Sequence, residues 1–286
     1  MGTRPSIGIV GLGLIGGSAA KAFGQAGFSV YGYDLDDATM DKAHSESVIV
    51  NRAVDWRDWA DSVDWVVMAM PLARVTRWLA LWAEQVMRAQ VIIDVSSVKG
   101  SVLPALSALP DRFTPVCLHP MAGRELTGYA ASRADLFRGH VCAVIPVPHR
   151  ELAPESLVNE ILQVLGMHPY ATDGTMHDQV AALVSHLPYL VSAALLVTAE
   201  RAGQPLSGWQ RMAGPGFMDT SRVGSSSPDL WTEILNQNRE AVLPVLDVFS
   251  EVIANWNQEL RRELPLAELN TAPAIRSRVE EERSCS

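Results

Sequence analysis

Short apolar runs alternate with stretches of helical period through the first 171 residues of this chain, and after them only the helical period continues. The runs at 7–10, 28–33, 65–69, 91–95, 116–118, 141–145 and 168–171 are the right length for buried strands. Most are separated by segments such as 75–88 that read as helices. The alternation predicts an α/β domain with a largely parallel, doubly wound sheet over residues 1–171, followed by an all-helical domain over 172–286. In the second half, Leu183, Leu187, Leu190 and Ala194 recur close to helical spacing and predict the buried face of a helix that stops at Gly203. Ser227-Pro228-Asp229 reads as a cap, a first-turn proline and a dipole-matched acid opening one long helix, which Pro244 should kink. Its apolar residues Leu230, Ile234, Val245, Phe249, Val252 and Trp256 cover more surface than a lone amphipathic helix can hide, which predicts a homodimer through the C-terminal helices. From Pro265 onward the chain is polar and is expected to fray.

Composition narrows the classes. The 286 residues are 48% hydrophobic, enough for two cores, and the net charge of -9 argues against a nucleic-acid or anionic-membrane surface. Four glycines interrupt the first apolar run, so no signal peptide is expected. The apolar stretch 180–197 approaches transmembrane length but contains Ser185, His186, Pro188 and Ser192, so a buried helix fits better. The three cysteines, Cys117, Cys142 and Cys285, lack metal-ligand spacing. A cytoplasmic protein with no structural metal is the expectation.

Chemistry gathers at the strand ends. Strand 7–10 runs into Gly11-Leu12-Gly13-Leu14-Ile15-Gly16 and then a helix, the context in which a glycine turn holds a dinucleotide pyrophosphate. Gly11 would make the turn, Gly13 allow close backbone approach and Gly16 pack helix on strand, with Leu14 and Ile15 at the helix start. This is a Rossmann-type site. Asp34, eighteen residues after Gly16, is placed to bind the adenosine ribose, unless it merely caps the next helix; its carboxylate would repel a 2′-phosphate and favours NAD over NADP. Met70-Pro71 closes the third strand, where a chain commonly passes the cofactor. Ser96 and Ser97 follow the fourth, one or both as caps of a helix starting near Val98. His119 stands just past the fifth strand, which Pro120 should stop and Gly123 turn sharply. A histidine there is by itself more often structural than catalytic, and the same is true of His186 on its helix face.

Taken together, GLGLIGGS at 11–18, DVSSVKG at 94–100, HPMAGRE at 119–125, the His177-Asp178 pair, SHLPYL at 185–190, and GFMDTSR ahead of SSSPDLW within 216–231 resemble the prephenate and arogenate dehydrogenases of tyrosine biosynthesis, the TyrA family. The resemblance spans most of the chain and implies NAD-dependent oxidative decarboxylation of prephenate, or alternatively of arogenate or a 4-amino-4-deoxyprephenate. It implies His119 as the base that accepts the hydroxyl proton and Ser97 as the group that orients it and touches the nicotinamide. Arg222 would be the bidentate partner of a substrate carboxylate and His186 a substrate contact, with Asp219 and Trp231 a gating pair and Arg124 and Glu125 close to the substrate. Two departures stand out: Tyr189 replaces a second histidine found in many relatives, and Arg124 occupies a variable position, leaving selectivity open. An appended regulatory or mutase domain has no room in these residues, so tyrosine, if it inhibits, is expected to act at the active site. Competing readings are another dehydrogenase of similar build that uses a lysine, for which Lys99 is the obvious candidate, and an NAD-binding protein without turnover.

Overall fold

The structure, a computed structural model, describes residues 4–50, 52, 55–88 and 90–284. Seven strands form one sheet: β1 (Ser6–Val10), β2 (Ser29–Tyr33), β3 (Trp65–Met68), β4 (Gln90–Asp94), β5 (Phe113–Pro120), β6 (Val141–Ile145) and β7 (His168–Ala171). Their order is β2-β1-β3-β4-β5-β6-β7, with β1 to β5 parallel, β6 antiparallel to β5 and β7 parallel to β6. This is the doubly wound sheet that the alternation of runs predicts. Its strand order reverses at β1, the point where open sheets of this kind bind ligands at their carboxyl ends.

Helices α1 (Leu14–Gln25), α2 (Asp37–Ser45), α3 (Leu72–Gln85), α4 (Leu103–Ser107) and α5 (Glu155–Leu165) connect the strands. One face of the sheet buries Ile7, Ile9, Phe23, Val116 and Ile161. The other buries Val10, Val66, Trp59, Trp82 and Ile92, with Trp56 stacked on Trp82 at 4.8 Å. The largely apolar central strands β1, β3 and β5 follow from burial on both faces, whereas β7 at the edge is exposed along its length. Cys117 and Cys142 lie inside these layers, where burial pushes both thiols up to about 12. Cys285 lies outside the described residues.

Two local expectations fail here. No helix begins near Val98: α4 starts at Leu103, because Asp94 draws the Ser96 N–H and hydroxyl back onto itself at 3.2 and 3.0 Å and holds this stretch as a turn. Ser96 and Ser97 are therefore not caps. Pro120 is the last residue of β5 and His119 lies inside the strand, paired with Ala143, because β6 extends the ladder antiparallel past the point where parallel pairing with β4 ends. The backbone turn that needs glycine comes later as well, at Gly128 with φ 80°, and Gly123 does not use the left-handed region.

The helical half comprises α6 (Gly174–Ala181), a π-helical turn (Ala182–His186), α7 (Leu187–Gly203), α8 (Pro215–Ser221), α9 (Pro228–Gln237), α10 (Arg239–Arg261) and α11 (Ala272–Ser284). The face predicted to be buried is covered only in part: Leu187 and Leu190 are half-buried. Leu183 is 55% exposed and Ala194 is also exposed, whereas Ala182, His186, Tyr189 and Ser192 pack inward. The π turn shifts the helical register by one residue, and the inward contacts are made by polar and aromatic side chains that hydrogen-bond or stack. Residues 174–203 are long and apolar enough to cross a membrane by length and composition, with mean hydropathy 2.0 over their most apolar stretch, only 28% of which is buried.

The long helix expected from Ser227 is two helices, broken at Asn238, whose backbone leaves the helical region at φ -106° and ψ 22°, with Pro244 inside α10; the Asn238 side-chain amide meets the Asp178 carbonyl and His186. Ser227 occupies the cap position without a side-chain cap bond. The polar tail is helical too, and Trp256 donates to Glu268 across it at 3.3 Å.

Candidate active site

The carboxyl ends of four adjacent parallel strands carry, in order, the Gly11 turn after β1, Met70-Pro71 after β3, Ser96-Ser97 after β4 and His119 in β5. Gly11 sits at φ 90°, where any side chain would strike the Ala69 carbonyl at 2.5 Å. A Cβ on Gly16 would stand 1.8 Å from the Gly11 carbonyl, so α1 can pack this closely only as glycine. Gly13 faces open space at the start of α1, beside the amides of Leu14 and Ile15, and an anion placed there meets backbone N–H groups and the positive end of the helix dipole.

Asp34 closes the same crevice. One carboxylate oxygen accepts from the Leu12 N–H at 2.7 Å and the other from the Asp36 N–H at 3.0 Å, which leaves lone pairs on both for a ribose hydroxyl. It does not cap α2; Asp36 does, through Ala38 and Thr39. The nearby cation Arg52 is held by Asp37 and Asp41. These residues fit an NAD molecule without a 2′-phosphate.

His119 is half-buried, and its Nδ1 lies 2.8 Å from Nε2 of His177. Asp173 caps α6 by accepting from Thr175 and Met176, which delivers His177 and Asp178 in the next turn. Nδ1 of His177 lies 2.8 Å from the Asp178 carboxylate, which also accepts the Lys99 and Gly100 N–H groups at 2.8 Å each. Burial alone would raise the Asp178 pKa, but these three hydrogen bonds lower it, so it stays ionised. His119 is not an ordinary imidazole titrating near pH 6.5: burial first, then Lys99, His177 and His186, push its pKa well below that value. The group expected to orient it, Ser97, makes no hydrogen bond to it among the described residues; His177 does. The dipeptide His177-Asp178 was visible in the sequence, but nothing local tied it to His119.

Lys99 is 0% exposed. Its ammonium donates to Asp94 at 2.7 Å and to the Leu118 carbonyl at 2.6 Å, bracing the backbone just before His119. Burial works to lower its pKa, and the charge and hydrogen bond of Asp94 together with Cys117 and Cys142 raise it by more, so the ammonium is kept. A lysine spent in this way cannot serve as the catalytic lysine of the competing dehydrogenase reading.

His186, at the end of the π turn, is buried. Its Nδ1 is 3.2 Å from the Asn238 amide nitrogen, which also donates to the Asp178 carbonyl at 2.8 Å; burial lowers the His186 pKa to about 4. Trp231 stacks on Tyr189 at 4.0 Å and 6° and meets the His186 ring edge-on at 6.0 Å. The replaced histidine is therefore an aromatic platform. No hydrogen bond or ion pair among the described residues joins Asp219 to Trp231, and Asp219 is exposed.

Arg222 begins a 3₁₀ turn pinned to α7: the Ser192 hydroxyl donates to the Thr220 carbonyl and accepts from the Gly224 N–H, both at 2.8 Å. Its guanidinium pairs with Glu125 at 3.0 Å, not with Asp219 or Asp229. The Glu125 carboxyl is held below the usual range by its own backbone N–H and then by Arg222. Arg124 is exposed beside it. Glu233 of α9 accepts from the Ala73 N–H at the start of α3, so the helical half closes over the strand ends from both sides.

Residues 19–169 match the family described as prephenate dehydrogenase, nucleotide-binding domain, and residues 173–266 match prephenate dehydrogenase, dimerization domain. The chain is 31% identical to the cyclohexadienyl dehydrogenase of Zymomonas mobilis over 85% of its length and 84% of that protein. It is 30% identical to the prephenate dehydrogenase of Bacillus subtilis, over 85% of its length and 67% of that one. The solved structure of Aquifex aeolicus prephenate dehydrogenase with hydroxyphenyl propionate and NAD+ is 25% identical, with a TM-score of 0.84 over 99% of both chains.

Proposed function

The chain belongs to the prephenate dehydrogenase family, and from that membership we propose that it catalyses the NAD-dependent oxidative decarboxylation of prephenate to 4-hydroxyphenylpyruvate. NAD, when bound, accepts hydride from the hydroxyl-bearing ring carbon. Gly11, Gly13 and Gly16, with the amides of Leu14 and Ile15, hold its pyrophosphate, Asp34 holds its ribose, and Met70, Pro71 and Ser96 flank it. His119 takes the hydroxyl proton while Ser97 stands beside the reacting carbon, and carbon dioxide leaves as the ring becomes aromatic. Arg222 grips a substrate carboxylate, exchanging Glu125 for it, with Arg124, His186 and the Trp231 platform lining the remainder. The division at residues 171 and 172 belongs to the same reading: one part binds the cofactor and the other covers the substrate.

The observation that carries this reading is the placement of His119 in β5, with its Nδ1 tied back to His177, at the same sheet edge as the glycine turn. Formation of reduced nicotinamide with prephenate and with arogenate, measured side by side, tests it. Turnover of neither would remove it, and arogenate turnover far above prephenate would reassign the substrate.

Because Asp34 presents a carboxylate where NADP carries its 2′-phosphate, kcat/KM with NAD should exceed that with NADP by about tenfold or more, a difference worth about 1.4 kcal/mol. Equal efficiency would defeat the assignment of Asp34.

The uncovered apolar residues of the π turn, α7 and α10, among them Leu183, Val184, Val197, Val248 and Ile253, lie within the segment matching the dimerization-domain family. We assign this face to a second copy of the chain, which would keep a cytoplasmic protein soluble. Light scattering at micromolar concentration should give twice the chain mass, and a monomer would count against the assignment.

A further inference from the structure

Hydrogen-bond bookkeeping from Asp178 outward determines which nitrogen of His119 is free. The Asp178 carboxylate already accepts two backbone N–H groups and, being ionised, can only accept, so His177 must present Nδ1–H to it. With that single ring proton on Nδ1, Nε2 of His177 offers a lone pair. His119 meets that lone pair with Nδ1, 2.8 Å away, so His119 must carry its proton on Nδ1 and keep Nε2 unprotonated.

We propose that His177 is a positioning residue for this reaction: backed by Asp178, it locks His119 in the Nδ1–H tautomer and makes Nε2 the atom that borrows the substrate proton. The inference rests on His119 being the base, as proposed above. The proton bonds to Nε2 as the ring hydroxyl becomes a carbonyl. It returns to the ring oxygen when the bond to the departing carboxylate breaks and its electron pair enters the ring. Overall no proton is released, so the site needs a holder that takes one and gives it back, not an exit path to solvent. While the proton is held, the charge on His119 is felt through His177 by the Asp178 carboxylate, which opposes the repulsion from buried Lys99. The residues come from both halves of the molecule: His119 and the Lys99-Gly100 turn from the sheet, His177 and Asp178 from α6. Closing the helical half over the sheet is therefore what assembles a competent base.

The groups facing this chain are Lys99, Asp94, Cys117 and Cys142 from the sheet and His186 from the π turn. Nitrogen-15 spectra of the free, histidine-labelled enzyme at neutral pH should show His119 as the Nδ1–H tautomer. His177→Ala should lower kcat by about 10²-fold, less than the roughly 10⁴-fold lost when a protease triad loses its orienting carboxylate, while affinity for NAD, followed by fluorescence, stays unchanged. His177→Gln, which can still accept from Nδ1, should recover part of the loss. An Nε2–H tautomer in the wild-type spectrum, or unaltered kcat in a folded His177→Ala protein, would overturn the proposal. If His119→Asn also kept full turnover, the base assignment itself would fall; if only the His177 results went the other way, the positioning role alone would.

Discussion

Replacing His119 with Asn is expected to lower turnover about 10²- to 10⁴-fold, the range for loss of a general base, with NAD affinity nearly unchanged. Asn keeps a polar amide near the Nδ1 position but has no group at the place of Nε2 and cannot hold a proton. The pH profile of the wild type gives the same answer from the other direction. A base acts when unprotonated, and burial together with Lys99, His177 and His186 puts the His119 pKa well below 6.5. Activity should therefore be flat through neutral pH and fall only on acidification, along a limb below the ordinary histidine value. A weak base suffices because the hydroxyl becomes acidic as hydride leaves the same carbon. Full turnover in the Asn variant between pH 6 and 9 would make His119 structural.

Arg222→Ala is expected to raise KM for the ring substrate about 10- to 100-fold and leave KM for NAD alone. The substrate is anionic and the protein carries net charge -9, so binding needs a local cation. In the free chain Arg222 is 57% exposed and paired with Glu125, and an exposed pair of this kind contributes little to stability, so melting temperature should hardly move. Arg222→Lys should recover only part of the affinity, since a point charge cannot reproduce a planar fork. Glu125→Gln separates the two roles: it removes the competitor and should leave Arg222 free to bind. A lowered melting temperature with unchanged substrate kinetics in Arg222→Ala would show that the ion pair was its whole purpose.

What the sequence alone determined is what depends on neighbours along the chain. The Gly11 turn, the strand before it, the helix after it and the acid at Asp34 follow from local sterics and hydrogen bonding, and each stands where the spacing requires. The central strand runs were legible because a strand covered on both faces is largely apolar; β7, exposed along its length, carried only a short mixed run. The resemblance added His119 and Arg222 by motif, without saying what would hold them.

The tertiary structure decided what depends on residues far apart in sequence. His177 lies 58 residues from His119, and Glu125 lies 97 from Arg222; no periodicity encodes such contacts, which exist only because α6 and the turn after α8 dock against the sheet edge. This is why Ser97, the neighbour in motif, was the residue expected beside His119, while the hydrogen-bond contact that the fold makes to its ring comes from distant His177. The same limit explains α7. Helical period identifies an apolar face, but burial depends on what that face meets. Here Tyr189, Ser192 and His186 found partners within the chain, and the apolar stripe was left for another surface. Asn238 shows it most simply: its side-chain amide donates to the Asp178 carbonyl 60 residues away, a partner that no local pattern around Asn238 announces.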